Sequence, residues 1–299
     1  MRTFEGRTAV ITGAGSGFGL EAARIAAARG MNLVLCDVQG EALSKAAAEF
    51  EGRPVLARVL DVSKADQMQA LAEAVQARFG APSFVFNNAG VGSGGLVWEN
   101  SLADWEWVLG VNLMGVVHGV RLFTPMMLAA AKADPSFEGH IVNTASMAGV
   151  LNAPNMGVYN VSKHAVVALS ETLYQDLALV SGQLHCSVLC PYFVPTGISQ
   201  SHRNRPTELS GGQVTRSQLI AQAMVDKAVS SGKVTAPEVA QMVFDAMENR
   251  RFYVFSHPKA LGGVQLRMED LLASRNPTDP FKDRPELGEQ LRAALRAAA

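Results

Sequence analysis

Tyr159 and Lys163 stand four residues apart in a stretch of helical pattern, which puts a phenol and an ammonium on one helix face. A free tyrosine titrates near ~10, too high for a base at neutral pH, and an adjacent ammonium favours the phenolate and lowers that value. The same ammonium can reach a ribose hydroxyl and so tie cofactor binding to proton transfer. A Tyr-x-x-x-Lys pair also recurs on ordinary solvated helices, so it carries weight only in company. Ser146 supplies some: it lies thirteen residues before Tyr159, directly after the apolar run 141–143, where its hydroxyl faces the same strand-end crevice.

A second group of residues suits a dinucleotide. Residues 12–19 read Thr-Gly-Ala-Gly-Ser-Gly-Phe-Gly, between an apolar run and a helical pattern. Glycines there allow positive φ and close backbone approach to a pyrophosphate, and a helix N-terminus offers that anion free N–H donors. Gly13, Gly17 and Gly19 give GxxxGxG rather than the commoner GxGxxG. Gly13, Ser16, Gly17, Phe18 and Gly19 are therefore candidate cofactor contacts. Asp37 follows Gly19 by eighteen residues; its carboxylate can accept both ribose hydroxyls and repels a 2′-phosphate. With no cation at 38–39 or 14–17, NAD is expected over NADP. The same Asp37 is also a plausible cap for the next helix.

The elements that must hold these residues alternate. Apolar runs at 8–11, 32–36, 55–59, 84–86, 141–143, 185–189 and 252–255 read as strands. Helical patterns occupy 17–29, 40–50, 64–79, 102–131, 155–180, 217–230 and 237–249. The expectation is an α/β, Rossmann-type, doubly wound, mostly parallel seven-stranded sheet with helices on both faces and ligands at the carboxyl ends of its strands. One domain is expected over 1–299. Residues 197–235, with the Gly211-Gly212 pair, form a candidate lid over the substrate and cofactor, and 257–299 a C-terminal extension. Leucines 287, 291 and 295 mark a helix over 288–298, and 129–138 reads as a surface insertion. Met147, Leu151, Met156, Tyr192, Phe193, Ile198 and Met224 are candidate walls of an apolar substrate pocket.

Composition excludes several functions. Twenty-six basic and twenty-seven acidic residues nearly cancel, so nucleic-acid binding has no electrostatic support. The longest apolar runs are of strand length, which argues against a membrane span or a signal peptide. Cys36, Cys186 and Cys190 form no CxxC pair and read as buried thiols, and the six histidines show no metal spacing; no metal site is expected. The cytoplasm is the expected compartment.

With Asn88-Ala89-Gly90 closing the fourth strand and Asn112 in the helix after it, the chain resembles the short-chain dehydrogenase/reductase superfamily in its single-domain branch. The matching pieces are 12–19, Asp61-Val62, Asn88-Ala89-Gly90, Asn112, Ser146, Tyr159, Lys163 and 191–196, in family order. The resemblance implies that Tyr159 is the general acid–base and that Lys163 lowers its pKa and binds ribose. It makes Ser146 the group that polarises the substrate oxygen, and Asn112 the holder of a relay water. Asp61 and Asn88, with Val62, Ala89 and Gly90 beside them, would frame the adenine side. Val194 and Thr196, after Pro191, would hold the nicotinamide carboxamide. It also implies a homotetramer or homodimer acting on a small alcohol or carbonyl substrate. Two departures stand out: Tyr192 follows Pro191 where the family usually has glycine, and Thr144-Ala145-Ser146 lacks the frequent serine pair. Two other functions stay open. One is a non-catalytic cofactor-binding regulator. The other is a nucleotide-sugar epimerase or dehydratase using His202, Arg203, Arg205 and Arg216 on a diphosphate.

Overall fold

Seven strands form one sheet in the computed structural model, which describes residues 1, 3–210 and 212–296. They are β1 (Thr8–Thr12), β2 (Asn32–Asp37), β3 (Val55–Val59), β4 (Phe84–Asn87), β5 (Gly139–Thr144), β6 (Leu184–Cys190) and β7 (Tyr253–Phe255). Their order is β3-β2-β1-β4-β5-β6-β7, and each neighbouring pair is parallel. The sheet is of the Rossmann type. The chain winds outward from β1 to β3 and then returns to start again at β4, so the crevice between the ends of β1 and β4 is the topological switch point where such sheets bind ligands.

Several strands, β1 and most of β2 and β4, are nearly continuously apolar because both their faces are covered. Side chains alternate across a strand, and the two sets enter different cores. Ala9 and Ile11, Leu33 and Leu35, and Phe84 and Phe86 pack with α1 (Gly17–Ala28) and α8 (Ala236–Asn249). Val10, Val34, Cys36 and Val85 pack on the other face with α3 (Ala65–Phe79) and with the longer helices that follow β4 and β5. Burying one such side chain contributes about 1.5–3 kcal/mol, so the alternation fixes which face each helix takes. The small helix α2 (Gly40–Ala48) joins β2 to β3.

The helix expected over 102–131 is interrupted. It comprises α4 (Leu102–Leu109), a π-helical turn at Gly110–Met114 and α5 (Gly115–Ala133). Ser101 and Asp104 close a reciprocal capping box at its start. By length and composition Leu102–Ala133 would suffice to cross a membrane, although the strand-length runs gave no such indication. Here Val116, Phe123 and Met127 are buried against the protein core. Within the expected surface insertion 129–138, residues 132–136 are exposed, while α5 continues to Ala133 and Phe137 is buried beneath the Arg7 guanidinium. The helix expected from 155 begins later, as α6 (Gly157–Val180), since Asn155 takes a positive φ of 62°.

Beyond β6, short 3-10 turns at Gly197–Asn204 and Thr207–Leu209 lead to α7 (Arg216–Ser230). After β7 comes α9 (Leu261–Leu272), in the part of the extension where the sequence reads as amphipathic without marking a helix's bounds, and then α10 (Pro285–Arg296). Leu261 and Val264 pack on the cluster around Met147 and Val150, so α9 backs one wall of the crevice. On α10, Leu291 is buried while Leu287 stays half exposed. Gly211 of the expected lid, and 297–299 at the end of the extension, lie outside the described residues.

Candidate active site

A cleft of about 300 Å³ runs along the carboxyl ends of the strands. At its centre, Thr12 joins the glycine-rich turn to β4. Its Oγ1 accepts from the N–H groups of Asn88 (2.9 Å) and Ala89 (3.1 Å). Gly13 then needs to be glycine twice over: its φ is +66°, and a Cβ there would meet the Ala89 Cα at 2.9 Å. Gly17, at φ +54°, opens α1, and the Ser16 side chain makes no capping bond, which leaves the helix N-terminal donors facing the cleft. Gly13, Ser16, Gly17 and Phe18 line the cleft. Gly19 does not. It lies beneath the turn, where a Cβ would stand 2.2 Å from the Gly13 carbonyl oxygen, so its part is to let the turn close.

Asp37 ends β2. Its two carboxylate oxygens accept from Gly15 N–H and Gln39 N–H, each at 2.9 Å. The carboxylate therefore braces the glycine turn and the approach to α2, and each oxygen keeps acceptor capacity for a hydroxyl donor. Asp61 and Val62 lie beside it at the end of β3. Asn88, Ala89 and Gly90 form the opposite wall. The Asn88 amide is committed to the scaffold: Nδ2 donates to Thr12 O at 3.1 Å, and Oδ1 accepts from Thr144 Oγ1 at 3.4 Å. It frames the cleft by shape rather than by offering free polar atoms. These features fit a dinucleotide: a glycine cradle at a helix N-terminus, with a carboxylate at the end of the second strand.

Ser146, Tyr159 and Lys163 meet on the cleft floor. Ser146 is placed by a 3-10 turn at Met147–Gly149, whose Ala148 N–H donates to Ser146 Oγ at 3.1 Å. Met147 N–H donates to Pro191 O at 2.9 Å, holding that turn against the segment after β6. Tyr159 and Lys163 lie one turn apart on α6, with the Lys163 ammonium 5.6 Å from the Tyr159 ring centroid. Burial pushes the Tyr159 phenol above its ordinary value, and a hydrogen bond with Ser146 pulls it back down. The expected lowering by Lys163 is not what dominates. Lys163 Nζ is turned to donate to Thr144 O at 3.0 Å, and burial brings its own pKa down to about 8.

Asn112 is fully buried and does not line the cleft. Its side chain clamps Val91, accepting from its N–H at 2.8 Å and donating to its carbonyl at 3.0 Å; it also donates to Ser162 Oγ at 3.1 Å. With both amide atoms so engaged, the side chain positions the Gly90-Val91 wall. Asn112 Oδ1 and Lys163 Nζ flank Gly90, at 3.4 and 3.5 Å from where its Cβ would sit.

Pro191, Val194 and Thr196 line the cleft above the floor, as do Met147, Leu151, Met156, Tyr192, Phe193 and Ile198. Tyr192 packs on Phe193 (4.4 Å between ring centroids) and edge-on to His257 (5.8 Å), so the residue in the usual glycine position becomes part of an aromatic rim. Met224 is half exposed and lies outside the cleft. The face of α7 that enters the cleft carries Ala221, Gln222, Val225 and Val229, a stripe set by the helical period of about 3.6 residues that excludes position 224. Sequence reasoning also missed Gln39, Trp107 and Asn204. Of the four polar groups weighed for a sugar diphosphate, only Arg203 lines the cleft; Arg205 pairs with Asp104 at 2.5 Å.

Comparison with known proteins agrees with this geometry. The short chain dehydrogenase family profile matches residues 7–207. The chain belongs to the short-chain dehydrogenase/reductase family. It is an oxidoreductase of that family, similar to the CLA biosynthesis dehydrogenase/reductase of Lactiplantibacillus plantarum, with 31% identity over 93% of this chain and 97% of the relative. It is also 30% identical to a C alpha-dehydrogenase of Sphingobium sp., over 99% of this chain and 94% of that protein. A Burkholderia phymatum short chain dehydrogenase/reductase, solved in complex with NAD, superposes with a TM-score of 0.90 at 52% identity, covering 94% of this chain and 99% of that one.

Proposed function

We propose that the chain is an NAD-dependent enzyme that moves a hydride between the nicotinamide ring and a medium-to-large, mostly apolar secondary alcohol or ketone, with Tyr159 as acid–base. The observation that carries this is the meeting of Ser146, Tyr159 and Lys163 on the floor of a cleft whose other end is the glycine turn and Asp37. The bound cofactor supplies or accepts the hydride. Tyr159 Oη takes the hydroxyl proton in oxidation and returns it in reduction. Ser146 holds the substrate oxygen and stabilises the charge that grows on it. Lys163 presents its ammonium to the phenol and to a ribose hydroxyl, and Asn112 keeps the Gly90-Val91 wall in place. Val194 and Thr196 would meet the carboxamide.

Support for NAD comes from Asp37, whose carboxylate disfavours a 2′-phosphate, and from the NAD complex of the Burkholderia relative. Support for an apolar substrate comes from the wall around Ser146: Trp107, Met147, Leu151, Met156, Tyr192 and Phe193. Among the described residues lining the cleft, the charged side chains are Asp37, Asp61, Lys163 and Arg203, and none belongs to that wall. The sugar-nucleotide alternative is left with a single cation, and the regulatory alternative does not account for the retained Ser–Tyr–Lys set. Half-exposed Met114, Val161 and Tyr174 and the exposed Leu179 on the long helices favour a homodimer or homotetramer, and three buried free thiols favour the cytoplasm. The test is NADH absorbance with NAD and NADP in parallel over a panel of secondary alcohols. Turnover with NAD on apolar alcohols, abolished by Tyr159→Phe while NAD still binds, is expected. Preference for NADP or for phosphorylated substrates would overturn the assignment.

A further inference from the structure

Resting on that cofactor reading, a charge imbalance in the cleft points to one more binding residue. The pyrophosphate of a dinucleotide carries two negative charges, yet no lysine or arginine stands on the turn 13–19. Of the two cations lining the cleft, Lys163 is held at the catalytic end by Thr144 O. The other is Arg203, on the 3-10 segment Gly197–Asn204, which lies as a strap across the groove. Thr196, at its root, has its methyl 3.5 Å from where a Gly17 Cβ would sit. In the middle, Ser201 Oγ accepts from Gly92 N–H at 2.8 Å and Gln222 Nε2 donates to Ser199 O at 2.6 Å. At the far end Gln39 lies against the guanidinium: its amide pairs with Asn204 at 2.8 Å and, turned end for end, presents its oxygen to Arg203 Nε at 3.0 Å. Arg203 Nη2 also lies 3.1 Å from where a Gly197 Cβ would sit, so the guanidinium is held between Gly197, beside the Thr196 that faces Gly17, and Gln39, two residues beyond Asp37. Its other protein contact, from Nη1 to Gln200 Oε1 at 2.9 Å, is again with a neutral amide. Two phosphate oxygens would replace neutral acceptors by charged ones, and charge-assisted pairs are roughly twice as strong.

We propose that Arg203 is a pyrophosphate anchor carried on this strap: its guanidinium leaves Gln39 for the cofactor diphosphate, so that cofactor binding and strap closure are one event. Isothermal titration of the full chain with ADP-ribose, and separately with adenosine, tests this in the wild type, Arg203→Gln and Arg203→Lys, with circular dichroism melting as the folding control. Arg203→Gln should weaken ADP-ribose about tenfold, the loss of one charged hydrogen-bonding group, and flatten the salt dependence of its binding. Adenosine affinity should not change, and Arg203→Lys should recover part of the loss. An ADP-ribose Kd within twofold of wild type in Arg203→Gln overturns the anchor while leaving the cofactor reading intact. A loss seen only with 2′-phospho-ADP-ribose overturns the pyrophosphate assignment. Failure of the wild type to bind ADP-ribose at all would overturn the cofactor reading and the anchor with it.

Discussion

The phenol of Tyr159 is pulled in opposite directions by its surroundings. Burial raises its pKa, because a phenolate is poorly solvated beneath the cleft floor, and the Ser146 hydroxyl stabilises the anion and lowers it. In alcohol oxidation the base form is the useful one, so kcat/KM should climb with pH along a limb set by this phenol together with the Lys163 ammonium, which titrates near 8. Removing the Ser146 hydroxyl leaves burial unopposed. Ser146→Ala is therefore expected to move that limb to higher pH as well as to slow turnover by about a hundredfold or more. A pH profile of NADH formation decides it; a limb that stays put, or shifts to lower pH, contradicts the proposed contact. The glycine turn gives a second expectation. Because a Cβ on residue 19 would stand 2.2 Å from the Gly13 carbonyl oxygen, with backbone rather than a flexible side chain in the way, Gly19→Ala should both weaken NAD binding and lower the melting temperature. Fluorescence titration and a melting curve on the same sample read the two effects.

Relations between elements decide whether Ser146 and Tyr159 meet at all. The 3-10 turn at Met147–Gly149 lies directly on α6, and a Cβ on Gly149 would stand 2.6 Å from the Lys163 carbonyl oxygen and 2.8 Å from a Val167 methyl. Gly149→Ala should push the turn off α6, lowering kcat with little change in NAD affinity, because the glycine turn and Asp37 sit elsewhere. A steady-state and binding comparison checks this, and a loss of NAD affinity equal to the loss of kcat would contradict it. How far the sequence foretold these elements depends on where the information resides. The central strands were legible because burial on both faces leaves mostly apolar runs, and Tyr159 and Lys163 because a four-residue spacing is local. The π turn carrying Asn112 was not: residues 110–115 continue the helical pattern on either side, and a hydrogen bond that spans one residue more than in an α-helix leaves no trace in composition. The bounds of helix α9 escaped notice because Gly262 and Gly263 open it and half its face is solvated. Arg203 sits in a polar stretch whose place over the groove is set by contacts with Gln39 and Gly92, more than a hundred positions away along the chain.

The core of the whole molecule carries a titration of its own. His140, fully buried in β5, has Nε2 2.7 Å from Ser187 Oγ, and that hydroxyl donates its proton to Arg251 O at 2.6 Å. Ser187 must then accept, which fixes the neutral Nε2–H tautomer and leaves Nδ1 bare and without a partner. Protonation would place a charge and an unpaired N–H inside the sheet. Burial accordingly holds His140 well below the usual imidazole range, with His185 and Arg250 nearby pushing the same way. In the unfolded chain the same imidazole titrates near ~6.5. Above that pH both states are neutral and the stability is fully present. As pH falls below it, the unfolded state binds the proton first, and stability declines until the depressed folded value is passed. Each unit of difference between the two states is worth about 1.4 kcal/mol. His118 and His185 are also lowered by burial and add to the slope, so a substitution is needed to isolate His140. His140→Gln keeps a donor in the Nε2 position and removes the titration. Its urea unfolding free energy should fall less between pH 7 and pH 5 than that of the wild type, even if its value at pH 7 is lower. Equal declines in the two proteins would mean that His140 is protonated in the folded core or that the acid sensitivity arises elsewhere in the fold.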